Sequence, residues 1–178
     1  MLGVLIILVG LQRLWELQIA ASNVAYLKKR GAVEYGREHY PVMVLLHSLW
    51  LGCMVAEWWK GDLFLHQALV GIGWIFFLTG QALRWWTIRT LGRRWTTRVL
   101  ILPGEPLVAE GPFRFLSHPN YLGVTLEIFG LPLIGGCWKT SVVFGCLNIL
   151  LLKHRKKIEN AALQAGISGG DGRVCEAS

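Results

Sequence analysis

The sequence has 178 residues, of which 53% are hydrophobic and only 16% are charged, and its mean hydropathy is +0.45. Soluble domains average roughly a quarter charged residues, so this composition excludes an ordinary soluble domain and indicates an integral membrane protein. At about 20 residues per span, the length allows four or five transmembrane helices joined by short loops. Nine Trp residues agree with this, because indole rings favour the membrane–water interface.

The net charge of +7 is unevenly placed along the chain. Lys and Arg concentrate in residues 28–37, 84–114 and 153–157, whereas the connections between these segments carry only Lys60 and Lys139. A nucleic-acid-binding protein would lay its charge along one folded surface, so no nucleic-acid partner is predicted. The alternation follows the positive-inside rule and predicts that the three basic segments face the cytoplasm while the N-terminus lies outside.

The first predicted span, Leu2 to Tyr26, is apolar except for one face. Arg13, Glu16, Ala20 and Asn23 fall at helical spacing on that face. Charges at this depth must face protein or a wet cavity, because exposure to lipid costs several kcal/mol. Two interpretations stay open: an Arg13–Glu16 pair that fixes this helix to its neighbours, or the wall of a substrate cavity.

Two further spans are predicted, from Tyr40 to Trp59 and from Leu63 to Trp86. His47 and His66 stand alone on these apolar stretches, without a partner at ligand spacing, and are interpreted as structural. The four cysteines likewise show no metal-like spacing, so neither a disulfide nor a metal site is predicted.

After the third span the sequence becomes too polar, and too rich in Pro and Gly, for another span. Residues 97–102 are β-prone, Pro103-Gly104 is a turn dipeptide, and residues 106–109 form a second short extended run. This pattern predicts a short cytoplasmic β-hairpin-like segment. The whole is predicted as an all-α integral membrane fold of about five transmembrane helices that ends in a C-terminal helical hairpin.

That C-terminal hairpin consists of two helices. The fourth helix begins near His118 or Pro119 and runs to about Leu131, and the fifth follows Trp138-Lys139 and continues past the membrane as KHRKKIENAAL. Residues 1–165 are predicted to form one domain, and residues 166–178, which are rich in Gly and Ser, a disordered tail.

Two polar clusters lie at the predicted cytoplasmic ends of these last helices. The first is GPFRFLSHPNYLG, residues 111–123, where His118 and Tyr121 share a helical face while Asn120 and Glu127 are turned away from His118. The second is Arg155 and Glu159, four residues apart on the fifth helix. Each cluster alone is equally compatible with a plain helix cap or a surface ion pair.

Together and in this order, the two clusters resemble the isoprenylcysteine carboxyl methyltransferase (ICMT) family, in particular its smaller bacterial members. The resemblance covers roughly residues 91–163. It implies a membrane methyltransferase of a bacterial inner membrane that uses S-adenosyl-L-methionine at the cytoplasmic face. The implied partners are membrane lipids and a lipid-like or prenylated acceptor. Two features depart from the family pattern: Ser117 stands where Arg is common, and an aromatic, basic segment does not follow the last helix.

The resemblance also implies roles for individual residues. Arg155 matches the substrate-side arginine, and with Glu159 it is the implied catalytic pair. The implied cofactor-binding residues are Glu105, Pro106, Leu107, Val108, Phe113, His118, Pro119, Asn120, Tyr121 and Glu159.

The residue types suit methyl transfer on chemical grounds as well. A carboxylate acceptor is already ionised near pH 7 and needs only orientation, which a two-pronged arginine provides. A phenol or pyrone hydroxyl needs a base, for which His118 is suited. Two alternatives remain: an NADPH-dependent membrane reductase of the sterol-reductase type, whose 2′-phosphate would bind the arginines of residues 84–98, and a non-catalytic membrane protein with a decayed site.

Overall fold

The computed structural model describes residues 1–61, 63–64 and 66–171, with side chains up to residue 163. Five α-helices form a bundle, and their bounds are α1 (Leu2–Lys29), α2 (Tyr40–Lys60), α3 (Gln67–Leu91), α4 (Pro119–Ile134) and α5 (Trp138–Asp171). Helix α5 extends into the segment predicted to be disordered. The rest of that segment, residues 172–178, lies outside the described residues.

The predicted membrane character is confirmed for three helices. Within the described residues, α1, α2 and α3 are long and apolar enough to cross a membrane. Helix α4 has 16 residues, fewer than the roughly 20 that a span needs. The predicted hairpin of α4 and α5 is present: Ser141 Oγ of α5 donates to Phe129 O of α4 at 2.9 Å, and Asn148 Nδ2 donates to Thr125 Oγ1 at 3.2 Å.

The predicted local hairpin is wrong. Strand β2 (Val99–Ile101) pairs antiparallel with β1 (Val33–Tyr35), which follows α1, and residues 106–109 form no strand. The pairing arises because α1 and α3 end side by side, where Glu34 of β1 binds Lys28 at 2.6 Å and Arg98 at 2.8 Å. The two short strands therefore tie the loop after α1 to the loop after α3.

This pairing places the three basic segments at one end of the bundle, which we call the basic end. Arg30 and Arg94 both pair with Glu105 there, at 2.8 and 3.2 Å. At the opposite end, the buried carboxylate of Glu57 accepts hydrogen bonds from the backbone N–H groups of Lys139 and Thr140. This contact satisfies donors that would otherwise be unpaired at the start of α5.

Helices α3 and α4 approach each other closely because glycines face one another at helical spacing. A Cβ atom built at Gly80 would lie 2.8 Å from Gly123 O, and one built at Gly130 would lie 2.6 Å from Phe77 N. Both distances are too short for real side chains. This close contact sets the position of α4, whose first residues carry the candidate site.

We expect Gly80→Ala to lower the free energy of unfolding by about 1–3 kcal/mol, because the added methyl group meets backbone atoms that cannot move aside easily. The measurement is the thermal unfolding midpoint of the purified protein in detergent. The control is Gly71→Ala on the same helix, where nothing lies within 4 Å of the added Cβ. Equal midpoints for the two variants would contradict the close α3–α4 packing.

Candidate active site

Four charged side chains meet in the middle of the bundle. Arg13 of α1 binds Glu16 at 2.7 Å and also Glu127 of α4, while Arg84 of α3 binds both Glu16 and Glu127. Two arginines and two glutamates sum to no net formal charge, which reduces the cost of burying them. The prediction that Arg13 and Glu16 fix α1 to its neighbours is therefore confirmed.

Three of these four residues line a cavity of about 510 Å³ that has wall residues from all five helices. Most of its wall is apolar, and the exposed side chains of Leu11 and Leu14 on α1 and Val44 on α2 line it from both sides. The cavity therefore opens sideways between α1 and α2. Arg13, Glu16 and Arg84 supply part of its polar wall, so the polar face of α1 both links helices and borders the cavity.

Arg155 lies at the end of this cavity that faces the basic end. Its side chain is 7% exposed, and its Nη1 donates to Met43 Sδ at 2.8 Å. Its guanidinium lies 5.5 Å from the centre of the Tyr121 ring, and its Nε is buried without a hydrogen-bond partner. Among the described residues, no carboxylate lies within ion-pair distance of Arg155, in contrast to Arg13 and Arg84.

Tyr121 separates Arg155 from a second polar group. Its hydroxyl donates to Glu159, and the His118 ring stacks on the Tyr121 ring with centroids 5.1 Å apart. His118 Nδ1 lies 3.8 Å from Glu159 Oε2. Burial lowers the pKa of His118, although the Glu159 carboxylate opposes this shift. His118 is therefore neutral near pH 7 and can accept a hydrogen bond or a proton.

These contacts follow from where α4 begins. Pro119 occupies the first turn, where its missing N–H does no harm. Tyr121 in that turn and Thr125 one turn later both face α5. Asn120, which helical spacing turns away from His118, nevertheless lines the same cavity as Tyr121 and Arg155, and its Oδ1 is buried without a partner. Glu127 faces α1 and α3, as the spacing predicts.

The remaining residues of the predicted cofactor site lie in the loop before α4. The Glu105 carboxylate is engaged by Arg30 and Arg94, and Pro106 O accepts a hydrogen bond from Arg94 at 2.8 Å. Leu107 is exposed, Val108 is half-buried, and Phe113 lies half-buried in a short 3₁₀ turn. The structure thus gathers the predicted residues of α4 and α5 into one cluster and leaves the loop residues as a separate group.

Sequence reasoning missed three cavity residues. Arg84 falls in the predicted third span and is counted there only as the first residue of a basic segment. It is buried within α3, and its spacing from Gly80 and Thr87 indicates an inward face. Met43 gives no signal in the sequence, because its contact with Arg155 joins distant parts of the chain. Asn148 interrupts the apolar run of α5 and is an isolated amide that could have been noticed.

Comparisons with known proteins agree with this arrangement. Residues 72–165, more than half of the chain, match the model of the isoprenylcysteine carboxyl methyltransferase (ICMT) family. The chain is 34% identical over 174 residues to the uncharacterized protein YpbQ of Bacillus subtilis, covering 92% of this chain and 97% of that one. It is 27% identical over 153 residues to an uncharacterized protein of Haemophilus influenzae, covering 85% and 88% of the two chains.

No solved structure matches the chain. The family match spans α4 and most of α3 and α5, and so includes the Tyr121–Glu159 contact, the stacked His118 and the buried Arg155. The three apolar helices agree with a membrane location. The chain therefore belongs to the isoprenylcysteine carboxyl methyltransferase family, and this membership identifies it as a membrane methyltransferase.

Proposed function

We propose that the protein is an S-adenosyl-L-methionine-dependent O-methyltransferase that acts on a lipid-like acceptor with an anionic reactive oxygen. The observation that carries this proposal is Arg155, a buried guanidinium at the end of a largely apolar cavity, with no carboxylate partner among the described residues. A buried cation needs an anion to offset its desolvation. The acceptor's oxygen supplies that anion, and the apolar wall takes its hydrocarbon part.

The acceptor is either the carboxylate of an isoprenylcysteine-type molecule or the hydroxyl of a long-chain phenol or pyrone. In both cases Arg155 holds the oxygen and aligns it for attack. A carboxylate needs no base. A phenol or pyrone hydroxyl must lose its proton first, and the neutral His118 next to Tyr121 is suited to accept it.

The cluster beyond Tyr121 fits S-adenosyl-L-methionine. Glu159 has a carboxylate for the cofactor's ammonium group, and the stacked rings of His118 and Tyr121 offer a flat surface beside it. The buried, unpartnered Oδ1 of Asn120 is a further acceptor. When held by these residues, S-adenosyl-L-methionine would supply an electrophilic methyl group to the acceptor oxygen, with its thioether as the leaving group.

The protein itself positions the two reactants and excludes water from the site. Cation and anion are neutralised in this transfer, so excluding water lowers the barrier. Tyr121 contacts both Arg155 and Glu159, which supports adjacent binding of the acceptor at Arg155 and the cofactor at Glu159. This arrangement leaves acid–base chemistry to His118 and orientation to Arg155.

We further infer that α4 and α5 complete five spans and that the basic end faces the cytoplasm of a bacterial cell membrane, in keeping with the positive-inside rule. Ion pairs such as Arg98–Glu34 join the first two basic segments at that end, and α5, which carries the third, contacts both short strands there. A reporter enzyme fused after Lys157 should be active only in the cytoplasm. Activity only on the outer side would show that the basic end faces outward and would contradict this topology.

The structure argues against the reductase alternative. That function needs the arginines of residues 84–98 to bind a phosphate. Arg84 is instead buried between Glu16 and Glu127, and Arg94 and Arg98 pair with Glu105 and Glu34. Three of these arginines are therefore already engaged by carboxylates.

Replacement of His118 or Tyr121 by Ala should weaken binding of S-adenosylhomocysteine by about 1–3 kcal/mol, the scale of a hydrogen bond lost with its partner left unsatisfied. Titration calorimetry of each variant in detergent measures this. The matched control is Phe115→Ala, because Phe115 is 76% exposed. If the control weakened binding as much as Tyr121→Ala did, the cofactor would not lie on this face of α4.

A further inference from the structure

Two polar side chains deeper in the cavity have no part in the chemistry described so far. His47 of α2 and Asn148 of α5 both line the cavity below Arg155. Asn148 is completely buried, and its Oδ1 has no hydrogen-bond partner. An unpaired buried acceptor is costly, so its presence in a cavity wall points to a ligand group that pairs with it.

The orientation of the Asn148 amide follows from its neighbours. The Thr125 hydroxyl donates its proton to Tyr121 O at 2.8 Å, so Thr125 Oγ1 can only accept from Asn148. The group of Asn148 that lies 3.2 Å from Thr125 Oγ1 must then be the NH₂ group. This leaves the carbonyl oxygen of the amide as the free atom, and it is a hydrogen-bond acceptor.

His47, like Asn148, offers a hydrogen-bond acceptor to the cavity. Its Nδ1 lies 2.8 Å from Met43 O, and because a carbonyl oxygen can only accept, Nδ1 must donate. A neutral ring that donates from Nδ1 has its lone pair on Nε2. His47 and Asn148 therefore both offer acceptors, and the one on Asn148 is buried without a partner.

The position of this pair can be estimated from the helices. Asn148 precedes Arg155 by seven residues on α5, and His47 follows Met43, the Arg155 contact, by four residues on α2. At 1.5 Å per residue, the two acceptors lie roughly 6–10 Å deeper than Arg155. Arg13, which lines the same cavity, has a buried Nε donor without a partner, so a group that can both donate and accept fits best. A hydroxyl group has that property.

We propose that His47 and Asn148 form a second polar subsite, which binds a hydroxyl group on the acceptor roughly 10 Å from its reactive oxygen. This rests on the proposed function, because Arg155 must hold the reactive oxygen at the other end. The acceptor is then a lipid with two polar groups, one methylated and one recognised within the membrane. His47 and Asn148 determine specificity and take no part in methyl transfer.

The test compares two anionic probes, stearate and 10-hydroxystearate, whose hydroxyl lies roughly 10 Å from the carboxylate in the extended chain. Binding to the full protein in nanodiscs is measured for wild type, Asn148→Leu and His47→Phe. Because the two probes partition differently into lipid, the quantity compared is the ratio of their affinities. Bound S-adenosylhomocysteine shows that each variant is folded.

We expect the ratio to favour 10-hydroxystearate in wild type and to fall about five- to tenfold in either variant, the scale of one hydrogen bond. The matched control, Asn160→Leu on the exposed side of α5, should keep the wild-type ratio. An unchanged ratio in both variants overturns the subsite, as does the absence of binding by either probe. Arg155→Lys separates the two proposals. If it weakens binding of both probes equally while Asn148→Leu and His47→Phe leave the ratio unchanged, the subsite is overturned and the proposed function stands.

Discussion

Arg155→Lys should lower methyl transfer at least about tenfold, which corresponds to about 1.4 kcal/mol of transition-state stabilisation, while leaving the affinity for S-adenosylhomocysteine nearly unchanged. Lysine keeps the positive charge but loses the two-pronged grip that orients a carboxylate or phenolate. Arg155 is buried at the cavity end, and Tyr121 lies between it and Glu159. A change at Arg155 should therefore affect methyl transfer without affecting cofactor affinity. The measurement is single-turnover methyl transfer alongside cofactor titration.

The control for this experiment is Lys157→Arg, an exposed basic residue two positions further along α5. It exchanges the same two residue types without touching the cavity, so turnover should stay within twofold of wild type. If Arg155→Lys also stays within twofold, Arg155 has a structural role and the acceptor site lies elsewhere.

Glu127→Gln should lower the free energy of unfolding by about 3–5 kcal/mol, because it leaves Arg13 and Arg84 without one of the two carboxylates that offset their charge. Glu127 is 1% exposed, so water cannot replace the lost partner. The thermal unfolding midpoint in detergent reports the loss. The folded fraction should still bind S-adenosylhomocysteine like wild type, since Glu127 faces α1 and α3.

The matched control is Glu110→Gln, which makes the same change at an exposed position. It should change the free energy of unfolding by no more than about 0.5 kcal/mol, as ordinary surface substitutions do, and so leave the thermal midpoint nearly unchanged. A Glu127→Gln protein that kept wild-type stability but lost cofactor binding would move Glu127 from the structural cluster to the cofactor site.

The sequence predicts the helices of this protein well because membrane spans leave strong signals. Long apolar runs and basic loops place α1, α2 and α3, and Pro119 marks the start of α4 at the residue where the structure has it. Helix α4 continues past its predicted end near Leu131, through Pro132 to Ile134, although a proline at that position removes one backbone hydrogen bond.

The strand pairing is less predictable. Val33–Tyr35 is a short run between glycines, and its partner lies beyond two complete helices, so no local turn chemistry indicates it. The pairing depends on the packing of α1 beside α3, which a single sequence does not reveal. The proline-containing run at residues 106–109 is closer in sequence but cannot pair fully, because Pro106 lacks an N–H.

The candidate site, like the fold, is only partly predictable from the sequence. The spacing predicts that His118 lies near Tyr121 on α4 and Arg155 near Glu159 on α5. In the structure, the Tyr121–Glu159 contact joins the two helices, and Arg155 and Glu159 form no ion pair. The spacing puts Asn120 on a different face from His118, and in the structure Asn120 lines the cavity whereas His118 does not. Met43 has a role that only the packing of α2 against α5 creates.

The most direct test of the account is titration calorimetry of the purified wild-type protein with S-adenosylhomocysteine and then with NADPH. We predict saturable one-to-one binding of S-adenosylhomocysteine and no binding of NADPH. Binding of NADPH but not of S-adenosylhomocysteine would indicate a reductase. Binding of neither ligand by a folded protein would indicate a membrane protein that keeps the family fold without its activity, and either result would contradict the assignment of His118, Tyr121 and Glu159 to a methyl-donor site.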